Sequence, residues 1–145
     1  QIVKKFIVIL AVLIASCNQA DPKEQLKNLN GYWEIDHVEL EKDSVIKYGM
    51  SPYIDYIELK DSIGFRKKLK PEVTGEFIAT ENEEKISAKM EGHTLKLKYS
   101  TPYDQWEEEV LQATEENLVL MNSDGKTYYY KRYKPVISQE NEEKE

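Results

Sequence analysis

Cysteine is nearly absent from this chain: Cys17 stands alone in 145 residues. No disulfide within the chain can hold the fold, and a chain of this length buries enough surface to manage without one. Histidine occurs twice, at His37 and His93, too few for an evident zinc site and unlinked by spacing to any nucleophile. His93 follows Glu91-Gly92 at a hairpin tip and His37 sits beside Asp36, so both read as surface side chains. Although 27 residues are acidic, the D-x-D-x-D-G spacing of a calcium loop is missing, and Glu107-Glu108-Glu109 and the run from Glu140 to Glu145 read as a solvated face and a tail. No apolar run exceeds the ten residues Phe6 to Ala15. As a helix they rise about 15 Å, half a bilayer core, which argues against a spanning segment. No metal or cofactor is implied, and the chain is not expected to be an enzyme.

The short apolar run has another use. Lys4 and Lys5 precede it, and the small residues Ala15 and Ser16 lead into Cys17, the layout of an export signal. Ile14-Ala15-Ser16-Cys17 resembles the lipobox of bacterial lipoproteins, which implies cleavage before Cys17 and a diacylglycerol on its thiol. The alternative is an ordinary secretory signal followed by an unpaired thiol, a liability in an exported protein. Two or three acyl chains anchor a protein stably where one does not. Taking residues 1–16 as the signal removes two lysines and leaves 18 basic against 27 acidic residues, a charge of −9. Such a surface disfavours nucleic acid and electrostatic adhesion to anionic lipid, so membrane attachment is expected to run through Cys17. Asn18 replaces the aspartate that retains lipoproteins at the inner membrane of enteric bacteria; that resemblance points to the outer membrane of a cell envelope.

Beyond the signal the chain divides into a tether over residues 17–25, one folded domain over 26–135, and an acidic tail without apolar content over 136–145. Pro22 after Asp21 suits a helix start, and Leu26 and Leu29 share one side of a helix over Lys23 to Leu29 that stops at Asn30-Gly31. A helix so short is stable only if its leucines plug something.

From Gly31-Tyr32-Trp33 onward the apolar period is two. Trp33 and Ile35 share a face, Val38 and Leu40 share the other, and the flip between Asp36 and His37 is what a β-bulge produces. Residues 41–52 form a loop with a short strand turn at Val45 to Lys47, long enough to suggest a binding segment. Strands are expected over Tyr53 to Leu59, Ile63 to Leu69 and Thr74 to Thr80. After a turn over Glu81 to Glu84 come strands around Ile86 to Met90, His93 to Tyr99, Trp106 to Thr114, Leu118 to Met121 and Lys126 to Tyr133. Arg66, Lys67, Lys68 and Lys70 make the only basic cluster, read as a solvated or edge strand protected against aggregation rather than as an anion contact. Eight or nine strands in hairpin-length connections with no intervening helix force antiparallel pairing. Such a meander forms a sandwich or closes into a barrel. The fold class is all-β, an antiparallel up-and-down barrel of about eight strands with a short N-terminal helix.

The short helix, Gly31-x-Trp33 at the head of a bent first strand, and Arg132 near the end of the last strand resemble the lipocalin kernel. That resemblance implies a tryptophan at the closed end with the arginine over it, a cation–π plug made by Gly31, Trp33 and Arg132. The Trp106-Glu107-Glu108 strand entry and the hairpin ahead of Tyr128-x-Tyr130-x-Arg132 resemble the lipocalin-like lipoproteins of Bacteroidota. The implied function is an envelope lipoprotein that binds a small apolar or amphipathic molecule. The alternative is a structural or interaction lipoprotein whose barrel is filled by its own side chains and whose loops contact an envelope protein. Ten tyrosines either fill the barrel or line a pocket. Tyr128 and Tyr130, which share the Arg132 face, are read as ligand-binding with Tyr56 and Trp106; Tyr129 and Tyr133 are read as packing.

Overall fold

A computed structural model describes residues 20–41, 44–49 and 51–135. The expected signal, Cys17 and the acidic tail lie outside those residues. A seven-residue helix α1 (Pro22–Asn28) is followed by nine strands, β1 (Gly31–Glu39), β2 (Val45–Lys47), β3 (Ile54–Lys60), β4 (Ile63–Pro71), β5 (Phe77–Glu91), β6 (Thr94–Ser100), β7 (Gln105–Ala113), β8 (Asn117–Asn122) and β9 (Thr127–Arg132). Strands β3 to β9 pair in sequence order, and β1 pairs with both β3 and β9, closing an eight-stranded antiparallel barrel. Strand β2 lies outside that ring, laid along the far half of β1 through His37, Val38 and Glu39.

The bend of β1 sits where the apolar phase flips. Its ladder with β9 shifts register between Ile35 and His37, so Trp33 and Ile35 address the core before the bulge and Val38 is buried after it. One expectation is corrected here. Glu81 to Glu84 is not a turn: β5 runs unbroken for 15 residues, and its hairpin with β4 turns earlier, where Glu72 N–H donates to Glu76 O at 2.8 Å. The sequence reads as a turn because the segment is charged and polar. In the fold those charges meet opposite ones across the ladder, Glu83 facing Lys67 and Glu84 facing Arg66, and a register shift between Lys67 and Leu69 absorbs the extra residues.

Two ends of the barrel follow from the registers. At the base, α1 starts on Asp21, whose carboxylate accepts from Lys23 N–H at 3.0 Å with Pro22 in the first turn, and it delivers Leu29 into the core with no exposed surface. Asn30 substitutes for a strand neighbour: its side-chain oxygen accepts from Leu59 N–H at 2.7 Å and its amide donates to Leu59 O at 3.0 Å. At the opposite, open end lie residues 40–41, 44–49 and 51–53, the turn after β4, Thr101 to Asp104, and the Ser123-Asp124-Gly125 turn. Leu59, Ile57, Ile86, Leu95, Leu97, Val110, Leu118 and Leu120 fill the basal half of the interior around Trp33.

Gly64 shows how tightly the β3–β4 hairpin is drawn. A Cβ there would stand 1.8 Å from the carbonyl oxygen of Glu58. Gly64→Ala must push the two backbones apart and is expected to cost roughly 1–3 kcal/mol, read as a lowered denaturation midpoint; an unchanged midpoint would show that the hairpin relaxes freely.

Candidate functional site

The alternation of side chains decides what the upper half of the barrel holds. On β4, Phe65 and Lys67 point outward, so Arg66 and Lys68 point inward; on β7, Trp106, Glu108 and Val110 share the inner face; on β3, Asp55 stands inward with Ile57 and Leu59. These strands bring together a chamber of about 230 Å³ lined by Asp55, Arg66, Lys68, Trp106, Glu108, Asn122, Tyr128 and Tyr130. Asn122 and Tyr128, beside the β8–β9 turn, place it toward the open end.

Arg66 is the hub. Its Nε donates to Glu84 Oε2, and its Nη1 lies 3.4 Å from Glu108 Oε1 and 3.5 Å from the Tyr99 hydroxyl, with the guanidinium 4.3 Å above the Tyr99 ring. Tyr99 stacks on Trp106 at 5.4 Å and 9°. Lys68 Nζ meets Asp55 Oδ1 at 3.1 Å. Burial raises the Glu108 carboxyl above the usual carboxylate range against the pull of Arg66 and a hydrogen bond from Tyr99. Burial likewise pushes the Tyr99, Tyr128 and Tyr130 phenols up, which keeps them neutral hydroxyl donors at physiological pH.

The raised Glu108 has a stability consequence. Its folded form holds a proton more tightly than the unfolded chain does, so stability falls as pH rises from the ordinary glutamate value through the raised one. Glu108→Gln removes that loss and leaves Arg66 paired with Glu84. The variant is expected to melt no lower than the parent at pH 8, with its relative advantage shrinking toward pH 4.5. A loss above about 1 kcal/mol at pH 8 would mean that the Arg66–Glu108 contact is net stabilising.

The residues singled out from sequence separate into three places. Trp106, Tyr128 and Tyr130 line the chamber. Tyr56 does not, and its placement is corrected: it lies on the outer face, its ring 4.8 Å from Tyr32 and 6.1 Å from Phe65, its hydroxyl 3.3 Å from Glu58. The reason is parity, because Ile57 and Leu59 take the inner face of β3 and Tyr56 falls between them and Asp55. Gly31, Trp33 and Arg132 meet at the base. The Arg132 guanidinium lies 3.7 Å over the Trp33 ring and donates to Asn30 O at 2.6 Å, Glu115 O at 2.7 Å and Asn28 O at 2.8 Å. Trp33 Nε1 donates to Leu29 O at 2.8 Å. Gly31 is required there: its φ is +123°, and a Cβ would stand 2.5 Å from Arg132 Nη1.

Sequence reasoning missed Asp55, Arg66, Lys68, Glu84, Glu108 and Asn122. The reading of the basic cluster as a solvated strand fails for Arg66, and the reading of Glu108 as a solvated face fails too, since Glu108 is 5% exposed. The signal available was the alternation Trp106-x-Glu108-x-Val110, which commits Glu108 to the face of two apolar neighbours. His37 packs on the outer wall, stacked on Tyr129 at 4.2 Å with Asp36 2.7 Å from Nδ1, and has no part in the chamber. Among the described residues no group of three or more His, Cys, Asp or Glu is arranged to hold a metal ion. A larger concavity of about 590 Å³ lies on the outer face, where the registers set Ile63, Ser87, Lys98 and Glu107 in one row.

A short helix, a closed antiparallel barrel, a tryptophan–arginine base and an interior chamber are now in place, and the sequence profile of the lipocalin-like domain matches residues 29–120. The chain belongs to the lipocalin-like domain family. Members of this family have a binding-protein kind of fold. Among solved structures, a lipocalin-like protein from Bacteroides uniformis is similar at 10% identity and a TM-score of 0.49, covering 73% of this chain and 99% of its own. An uncharacterized protein from Bacteroides eggerthii is similar at 12% identity and a TM-score of 0.47, covering 72% of this chain and 99% of its own. No curated protein matches the sequence.

Proposed function

We propose that this lipocalin-like chain is a lipid-anchored binding protein of the cell envelope that holds one small amphipathic ligand in the upper chamber without transforming it. The observation that carries the reading is the charge buried around that space. Arg66 and Glu108 keep 14% and 6% of their side-chain surface exposed. Burying such pairs is commonly neutral or unfavourable for stability against apolar packing of similar volume. Perturbed charges beside a cavity are the usual mark of a binding site. The apolar half of the interior is occupied by side chains, so the ligand's polar part, not a long hydrocarbon, occupies the chamber. Cys17, carrying the acyl chains implied by the lipobox resemblance, supplies the anchor, with Asn18 favouring the outer membrane.

Native mass spectrometry of the full chain released in mild detergent from its own host tests this. A reproducible small adduct lost on substituting chamber residues is the expected result, and a consistently bare mass would overturn it. One observation favours the second reading, a filled barrel that contacts an envelope protein: about 230 Å³ is below the roughly 300–1,000 Å³ of pockets for drug-sized ligands. Under that reading the mass is bare and a crosslinked partner is lost when residues 41–52 are altered.

A further inference from the structure

We propose that the ligand of the upper chamber is a small organic cation, a substituted ammonium, received by Glu108 between aromatic walls. This rests on the reading that the chamber binds a ligand, and it adds the ligand's charge. Three carboxylates, Asp55, Glu84 and Glu108, gather around two cations, Arg66 and Lys68. Lys68 answers Asp55, and Glu84 takes the Nε of Arg66. Glu108 shares the same guanidinium from 3.4 Å, the longer of the two contacts, while it is the most buried carboxylate of the set and lines the chamber that Glu84 does not. Glu108, held by Arg66 at the longer contact and by the Tyr99 hydroxyl, thus faces the chamber. The lining itself pairs Asp55 and Glu108 with Lys68 and Arg66, and Glu84 stands outside it against Arg66. Over the whole cluster a monocation balances three carboxylates against two cations, whereas an anion adds a fourth negative charge.

The walls point the same way. Trp106, Tyr128 and Tyr130 line the chamber and Tyr99 stacks behind Trp106. Aromatic faces around a carboxylate are the chemistry that recognises ammonium groups too weakly hydrated to be held by water alone. The cavity of about 230 Å³ admits a compact head of this kind. The ligand would lower the proton affinity of Glu108 as it binds, so affinity should fall as the pH drops and the carboxyl takes up a proton. The groups facing Glu108 are Arg66, Glu84 and Tyr99, with Asp55, Lys68, Tyr128 and Tyr130 around the rest of the space.

The test uses three probes of one shape and different charge on the full chain in a non-ionic detergent: choline, its neutral isostere 3,3-dimethylbutan-1-ol, and 3,3-dimethylbutanoate. Titration calorimetry should give saturable choline binding, about tenfold or more weaker binding of the alcohol, and none of the carboxylate. Choline affinity should decline from pH 8 to pH 5, and Glu108→Gln, checked by its melting curve to be folded, should bring choline and the alcohol to equal affinity. Equal or tighter binding of the alcohol or the carboxylate to the parent overturns the charge assignment while the carrier reading stands. No saturable binding of choline, ethanolamine or tetramethylammonium also overturns it; the carrier reading is then decided separately by the host-derived mass. A host ligand that proves neutral or anionic overturns the cation and keeps the carrier.

Discussion

Arg66→Ala is expected to destabilise the protein by roughly 3–5 kcal/mol, because it strands two carboxylates in the barrel instead of deleting a contact. Arg66 keeps only 14% of its side-chain surface exposed and is the partner of both Glu84 and Glu108. Without it, Glu108 retains the tyrosine hydroxyl of Tyr99 but no opposite charge in contact, and the guanidinium–ring contact with Tyr99 is also lost. The penalty depends on ionisation, so it should be largest at neutral pH and shrink as Glu108, whose carboxyl burial raises, protonates on acidification. The triple variant Arg66→Met, Glu84→Gln, Glu108→Gln removes all three charges together and is expected to recover most of the loss. Chemical denaturation of the three proteins at pH 7.5 and pH 4.5 gives the comparison. If the single variant loses less than about 1 kcal/mol at pH 7.5, the cluster is solvated and its charges are of little consequence to the fold.

That cluster also marks the limit of what the chain declares in one dimension. The barrel was legible because hairpin-length spacing and period-two alternation leave few topologies, and the bulge in β1 could be read from the phase flip alone, since Trp33 and Ile35 stand on one side of it and Val38 on the other. The faces of β4 were not. Phe65 is the only large aromatic in Ile63 to Leu69, and a reading by hydrophobicity sends it inward and Arg66 outward. The fold inverts them. Phe65 finds apolar cover on the outside, beside the ring of Tyr56 and beneath the ammonium of Lys67 at 4.8 Å, and Arg66 enters the barrel because Glu84 and Glu108 arrive from β5 and β7 to meet it. Only long-range pairing makes an inward arginine tolerable, and such pairing is invisible in a window of seven residues. The same inversion hides the length of β5. Its charged middle looks like a turn until Lys67 and Arg66 are set opposite Glu83 and Glu84. Polar residues in the interior are where local rules and the fold disagree, and they coincide with the chamber.

Trp33→Ala is expected to cost about 3–5 kcal/mol, a shift of roughly 10–20 °C in melting temperature for a domain of this size. Trp33 has no exposed surface, so truncation opens a cavity at the foot of the core. It also strips the Arg132 guanidinium of the ring 3.7 Å beneath it and leaves Leu29 O without its indole donor. Arg132 would still be held by the carbonyls of Asn28, Asn30 and Glu115, so the helix stays tethered and the loss remains a packing loss. Arg132→Lys separates the two contributions: an ammonium cannot reach three carbonyls in the planar fork that guanidinium uses, but it keeps the indole buried, and its cost should fall below that of Trp33→Ala. Neither residue lines the chamber, so probe affinity measured well below the lowered melting temperature should be little changed. Loss of binding with an unchanged melting temperature would reverse the assignment, making the base part of the ligand site and the upper charges part of the scaffold.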